Sequence, residues 1–160
     1  MQKITPFLWF NNNAEEAVNF YVSVFKNSKT FKVTRYGDGA PIPKGTVQTV
    51  SFNLDGVDFV ALNGGPIFNF TPAISFVVNC NDQDEIDYFW EKLSEGGEIM
   101  SCGWLKDKFG VAWQIVPIEL FELMSMPDKV KTQRVMTALY NMIKIDIETL
   151  RQAYEQGLEN

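Results

Sequence analysis

The 160-residue chain has no histidine. Imidazole is the commonest metal ligand and the usual general acid or base near neutral pH, so its absence excludes histidine-based triads and most transition-metal sites. Cysteine is scarce too. Cys80 and Cys102 alone make no disulfide framework, and a reducing compartment would keep both as thiols. Fourteen Lys and Arg stand against twenty Asp and Glu, a formal net charge of -6. No clustered basic surface is legible, so nucleic acid is not an expected partner. No apolar run approaches the ~20 residues of a membrane span. No membrane partner is expected, and since Met1 to Pro6 lacks the basic, apolar and small-residue succession of a signal peptide, the expected location is the cytoplasm.

What the chain does have is hydrophobic mass and internal repetition. A hydrophobic fraction of 46%, with thirteen Phe and four Trp, is enough to build a sizeable core. Leu54-Asp55-Gly56-Val57-Asp58-Phe59-Val60-Ala61-Leu62 and Lys108-Phe109-Gly110-Val111-Ala112-Trp113-Gln114-Ile115-Val116 are two versions of a glycine turn feeding an apolar strand. Each closes a unit that opens alike, at Pro6 to Phe20 and at Ser75 to Phe89. Two copies of one supersecondary unit are the simplest explanation.

The first unit is expected to run as a strand from Lys3 to Phe10, then a helix opened by Asn13 and Glu16 as a capping box. Ala17, Phe20, Tyr21, Val24 and Phe25 form the helix's apolar stripe. Strands Thr30 to Tyr36, Thr46 to Leu54 and Val57 to Asn63 follow. The second unit repeats the order: strand Ala73 to Cys80, cap Asp82 with Glu85, a helix with Ile86, Phe89, Trp90 and Leu93, then short strands at Glu98 to Cys102, Trp104 to Lys106 and Val111 to Val116. Helix starts align at a separation of 69 and final strands at 54, so fifteen extra residues lie in the first unit, assigned to the Gly37 to Gly45 loop. After Pro117 come helix formers, with one stripe of Val135, Met136, Leu139, Tyr140, Met142 and Ile143. A second stripe of Ile147, Leu150, Ala153 and Tyr154 follows the cap Asp146. The expectation is an α+β fold in one compact domain: βαβββ modules over 1–68 and 69–117 and a helical extension over 118–160.

Paired βαβββ modules with a glycine turn before each last strand resemble the vicinal oxygen chelate superfamily of glyoxalases, extradiol dioxygenases and bleomycin-resistance proteins. More closely, Phe20-Tyr21, Leu62-Asn63-Gly64-Gly65-Pro66, Ser75-Phe76-Val77-Val78 and the block from Cys102 to Pro117 are similar to the PhnB-like subgroup, which carries the domain label demethylubiquinone-9 3-methyltransferase. The resemblance implies glyoxalase-like mixed sheets curled into a cup, and homodimers in which cups are often completed between chains. It also implies a divalent ion held by His, Glu or Gln on the first and last strand of each module. Carried to this chain, those positions fall on Pro6, Val60, Ser75 and Gln114. Only Gln114 is a ligand type, so neither a metal nor another cofactor is expected. A nucleotide-type methyl donor needs a glycine-rich loop between strand and helix, where this chain has Asn11-Asn12-Asn13.

Strand alternation sets Ser75, Val77 and Asn79 on one face and Phe76, Val78 and Cys80 on the other. With the apolar face on the helices, Ser75 and Asn79 face the cup near Gln114, and Leu8, Phe10 and Leu62 supply its apolar counterpart. Cys102 and Trp104 complete the expected ligand-binding set of Phe10, Leu62, Ser75, Asn79, Cys102, Trp104 and Gln114. A mostly apolar cavity with a few neutral polar groups is how small-molecule sites are commonly built. The competing reading is that Ser75, Asn79 and Gln114 satisfy one another in the core. With no histidine as base, Cys102 is read as structural or a pocket wall rather than a nucleophile. Lys106 and Lys108 flank a hairpin with Asp107, and the acid pairs Glu15-Glu16 and Asp84-Glu85 serve helix first turns. The expected function is binding of a small, largely apolar molecule in a metal-free cup. The alternatives are a superfamily isomerase, lyase or transferase with an unrecognised metal site, and a structural or regulatory dimer.

Overall fold

In the computed structural model, which describes residues 2–155, the first repeat folds as β1 (Phe7–Phe10), α1 (Ala14–Val24), β2 (Lys29–Arg35), β3 (Val47–Leu54) and β4 (Val57–Asn63). The second folds as β5 (Ser75–Cys80), α2 (Gln83–Ser94), β6 (Glu98–Ile99), β7 (Trp104–Lys106) and β8 (Ala112–Pro117). Strand orders are β1-β4-β3-β2 and β5-β8-β7-β6, with first and last strands parallel and the rest antiparallel. Both sheets are open, and the α+β pattern is the expected one. The chain divides into the compact units Met1–Phe70 and Thr71–Asn160.

Each sheet is covered by its own crossover helix. Ala17, Val18, Tyr21 and Val24 of α1 are buried, and Leu8, Val50, Phe52, Phe59 and Ala61 form the sheet's buried face. The Tyr21 and Phe52 rings stack at 6.4 Å and those of Phe52 and Phe59 at 5.4 Å. In the second unit Ile86, Trp90 and Leu93 of α2 are buried, as are Val78, Leu105, Trp113 and Ile115 of its sheet.

The start of α1 departs from the expected capping box. Asn13 makes no side-chain cap bond. The acceptor comes from the end of β4 instead: Ala14 N donates to Asn63 Oδ1 at 2.9 Å, and Asn63 Nδ2 donates to Val47 O at 3.1 Å. Tyr36 Oη adds a bond to Asn63 O at 2.6 Å. A buried amide thus ties helix, third strand and fourth strand together, satisfying donors that a helix start leaves orphaned. At α2 the cap is local, as expected: Glu85 N donates to Asp82 Oδ1 at 2.9 Å, and Glu85 Oε2 accepts from Asn81 N at 2.8 Å.

Three other expectations are revised. The first strand begins at Phe7 rather than Lys3, since Pro6 has no N–H to pair and contributes only its carbonyl, which accepts from Val60 N at 3.0 Å. The extra length of the first repeat is spread over the longer β2 and β3 as well as the loop between them. The repeats are also out of step by one residue at their first strands. Val60 pairs with Phe7, whereas its counterpart Gln114 pairs with Val77. Three residues join β1 to α1 but only two join β5 to α2. Register therefore makes Thr5, not Pro6, the counterpart of Ser75.

Beyond β8 lie α3 (Ile118–Ser125), α4 (Lys129–Tyr140) and α5 (Ile147–Glu155). Leu120, Val135, Leu139, Ile145 and Leu150 bury Val116 of β8 in a common cluster. The expected first stripe is too wide: Tyr140 is 64% and Ile143 57% exposed, because α4 ends at Tyr140 and the chain leaves helical spacing. The segment that follows runs along the β6–β7 turn, where Cys102 N donates to Met142 O at 2.9 Å and Gly103 N to Ile143 O at 2.8 Å. Asp146 caps α5 as expected, accepting from Thr149 N at 2.7 Å, and its bonds from Thr149 hold its carboxyl below the ordinary range. That contribution is present above the unfolded carboxyl pKa and fades as pH falls through the lowered folded value.

Asn63→Ala is expected to destabilise the protein by about 2–3 kcal/mol, because it strands two buried partners. Asn13→Ala should cost less than about 0.5 kcal/mol, as an exchange away from any key bond does. Urea unfolding of the two variants checks the cap; a larger loss in Asn13→Ala would refute it.

Candidate functional site

One face of the β5–β8 sheet is left open by α2. Val77 pairs with Gln114 and Gln114 with Trp104, so these three side chains share that face. Gln114 Nε2 donates to Ser75 Oγ at 2.9 Å. Around this bond Trp104 is half-buried and Val77 is 44% exposed. Asn79 is exposed on the same face opposite Val116, which the C-terminal helices bury. Ser75 and Gln114 satisfy one another, but Asn79 is not part of that bond.

The first-module residues separate. Leu62 pairs with Trp9 on the open face of its sheet, whereas Phe10 pairs with Asn63 and is 2% exposed on the face turned to α1. Leu8 is buried with Phe10. The expectation that Leu8, Phe10 and Leu62 share a face fails, because successive strand residues alternate and the register puts Phe10 opposite Asn63 rather than Leu62. Phe10 instead meets Phe70 edge-on at 5.0 Å. Trp9 is the residue that sequence reasoning passed over. Its Nε1 donates to Gly65 O at 2.9 Å and its ring stands edge-on to Phe68 at 5.0 Å. A Cβ at Gly64 would sit 2.3 Å from the indole, so the Asn63-Gly64-Gly65 run serves both the cap and the seating of Trp9.

Cys102 and Gly103 form the turn between β6 and β7, with φ of 59° and 80°, closed by Trp104 N donating to Ser101 O at 3.2 Å. Positive φ at both central positions suits a tight hairpin. Any Cβ at Gly103 would also lie 2.8 Å from Ile115 O and from Ile145 Cδ1. Cys102 itself packs against the helical cluster. The next turn hides a carboxylate that its charged neighbours disguised. Asp107 is buried, with Oδ1 accepting from Phe109 N at 2.8 Å and Val111 N at 3.1 Å, and Oδ2 from Trp113 Nε1 at 2.8 Å. It fixes the turn that aims β8. Lys106 is neutralised by Glu98 at 2.7 Å.

The donor set does not fit the divalent ion that the sequence resemblance implies. Val60 has no donor, the register replaces Pro6 by Thr5, and Ser75 and Gln114 are neutral and engaged with each other. Among the described residues no group of three or more Cys, Asp or Glu is gathered to hold a metal. Hard divalent cations require several oxygen ligands, usually including carboxylates.

Neither cysteine is disulfide-bonded. Burial first, then the nearby carboxylates of Glu85 and Asp82, pushes the Cys80 thiol up to about 12. The thiolate is the reactive form. Cys80 is therefore expected to resist iodoacetamide at pH 8 in the folded protein and to react once urea unfolds it; mass spectrometry showing rapid native labelling would contradict this.

Residues 2–116 match the family described as 3-demethylubiquinone-9 3-methyltransferase. Among solved structures, the chain is 40% identical to the PhnB protein from Bacillus cereus, with a TM-score of 0.67 over 72% of this chain and 99% of that one. Protein PA1353 from Pseudomonas aeruginosa is 22% identical, with a TM-score of 0.61 over 73% and 98% of the two chains. Comparison with curated proteins finds no match. With a family model matched over residues 2–116 and a 40% identical PhnB relative, the chain belongs to the 3-demethylubiquinone-9 3-methyltransferase family and is PhnB-like.

Proposed function

We propose that the protein binds a small, largely apolar molecule on the open faces of its sheets, without a metal. The observation that carries this reading is the Gln114–Ser75 bond at 2.9 Å, set between Val77 and Trp104 on the face that α2 leaves open. An apolar wall with few oriented neutral polar groups is the composition of a small-molecule site. Leu62 and Trp9 give the first unit's sheet a comparable open face.

Methyl transfer by a nucleotide donor finds no support in the chain. The connection from β1 to α1 is Asn11-Asn12-Asn13, and the first helical amide is already taken by Asn63. A phosphate-binding helix start needs its backbone amides free. The reading also takes the protein as a homodimer of the cytoplasm, in keeping with two unbonded cysteines and exposed Phe121. No helix among the described residues is long and apolar enough to cross a membrane.

The neutral dye N-phenyl-1-naphthylamine tests the reading. It is expected to bind the native protein with enhanced fluorescence and to raise its melting temperature, as any ligand of the folded state does. Gln114→Ala and Trp104→Ala should fold normally yet weaken the dye several-fold, by roughly 1 kcal/mol. Unchanged affinity in both variants would remove this face from the site. A chelator should leave melting unchanged; one divalent ion per subunit, with melting lowered on its removal, would overturn the metal-free reading.

A further inference from the structure

We infer that the open face of the first sheet takes an amphipathic anion, an apolar ring or chain bearing a carboxylate, phosphonate or sulfonate, with the anionic group held by Lys32 and Ser51; this rests on the apolar-binding reading above, which includes that face. The pairings of the first sheet define two rungs that cross all four strands on the open face. One runs Lys32, Ser51, Val60, Phe7, and the next runs Thr34, Thr49, Leu62, Trp9. Along both, the face grades from polar side chains at β2 and β3 to aliphatic and aromatic ones at β4 and β1. Phe7 is 58% exposed, and Val60, Leu62 and Trp9 are half-buried.

The polar end has one rung already satisfied and one open. Thr34 and Thr49 bond each other through their hydroxyls. On the rung between Asn53 and Asp58, Asn53 Nδ2 donates to Asp58 Oδ1 at 2.7 Å, so that carboxylate is engaged. Lys32 and Ser51, in contrast, have no ion pair or side-chain hydrogen bond among the described residues. A lysine and a serine directly opposite one another on neighbouring strands, both with unused donors, can bring an ammonium and a hydroxyl to one anionic oxygen.

The backbone is shaped to put that lysine there. β2 carries an irregularity between Thr30 and Lys32, so Phe31 is passed over and Lys32 becomes the partner of Ser51. In an unbroken ladder Phe31 would take that place. Bulges on edge strands re-aim side chains and recur beside binding sites. The second sheet has no matching free cation at its edge pair, because Lys106 is held by Glu98.

Two dyes with one apolar frame test this in the full chain: 1-anilinonaphthalene-8-sulfonate and N-phenyl-1-naphthylamine, which lacks the sulfonate. The sulfonate dye is expected to bind on the order of tenfold more tightly, as a charge-assisted hydrogen bond provides. That advantage should shrink as salt rises and vanish in Lys32→Gln, while the neutral dye binds Lys32→Gln unchanged. Ser51→Ala, checked by its melting curve, should weaken the sulfonate dye in the same direction. Inorganic phosphate at matched ionic strength should not displace the dye; displacement by phosphate alone would show a bare anion site and overturn the amphipathic assignment. Equal affinity for the two dyes, or a sulfonate affinity unmoved by Lys32→Gln, would overturn the inference and leave the apolar-binding reading standing. Failure of both dyes to bind would overturn both.

Discussion

Everything in each repeat follows from the parallel pairing of its first and last strands. Parallel neighbours cannot be joined by a tight turn, so the chain must leave the sheet and return, and α1 and α2 make that excursion. The helix covers one face only. The next two strands extend the sheet away from the pair, and no element of the repeat crosses back over the second face. A partly apolar face beside the closing strand that the repeat itself does not cover is therefore a consequence of topology; Val60 and Leu62 of β4 and Gln114 of β8 lie on it, whereas Val116 at the end of β8 is covered by the C-terminal helices.

Two buried polar side chains hold that closing strand in place. Asn63 ends β4 by bonding the first amide of α1 and the carbonyl of Val47. Asp107 precedes β8 and gathers three N–H groups, including the Trp113 indole. Neither geometry resembles the other, yet both act at an end of the closing strand and both satisfy donors that would otherwise be buried unpaired. Buried amides and carboxylates with full partner sets fix one arrangement where apolar packing alone tolerates several.

How much of this was legible in the sequence depends on how local the cause is. Helix stripes, the Asp82 and Asp146 caps and the order of strands are set by neighbours within a few residues, and they were readable. Asn63 was not, because its partner lies 49 positions away and Asn13 offered a plausible local substitute. Asp107 sat between two lysines and had the signature of a solvated turn; only the ladder brings Trp113 beneath it. The candidate site suffered from the same blindness at finer scale. One extra residue between β1 and α1 shifts the first strand by a step, and a single step turns every side chain to the other face. Strand alternation read without the register therefore groups Phe10 with Leu62 and hides Trp9. Ser75, Trp104 and Gln114 lie on one face because the alternation along β5, β7 and β8 is unbroken.

The one-residue shift also shows how the repeats have diverged. Aligned by register, the rung Ser51, Val60, Phe7 of the first sheet corresponds to Trp104, Gln114, Val77 of the second. The polar group lies on the third strand of one repeat and on the closing strand of the other, with the apolar groups exchanged around it. Had both copies kept one pattern, the two faces would offer a ligand the same chemistry twice. The exchange gives one face a hydroxyl beside a cation at its edge and the other a central amide between valine and tryptophan. An anion is suited to the first, whereas a neutral donor or acceptor within an apolar body is suited to the second. The duplicated topology leaves one face of each sheet uncovered by its own repeat, and a few side-chain changes on matching rungs, with the C-terminal helices over Val116 in the second, make the two faces chemically distinct.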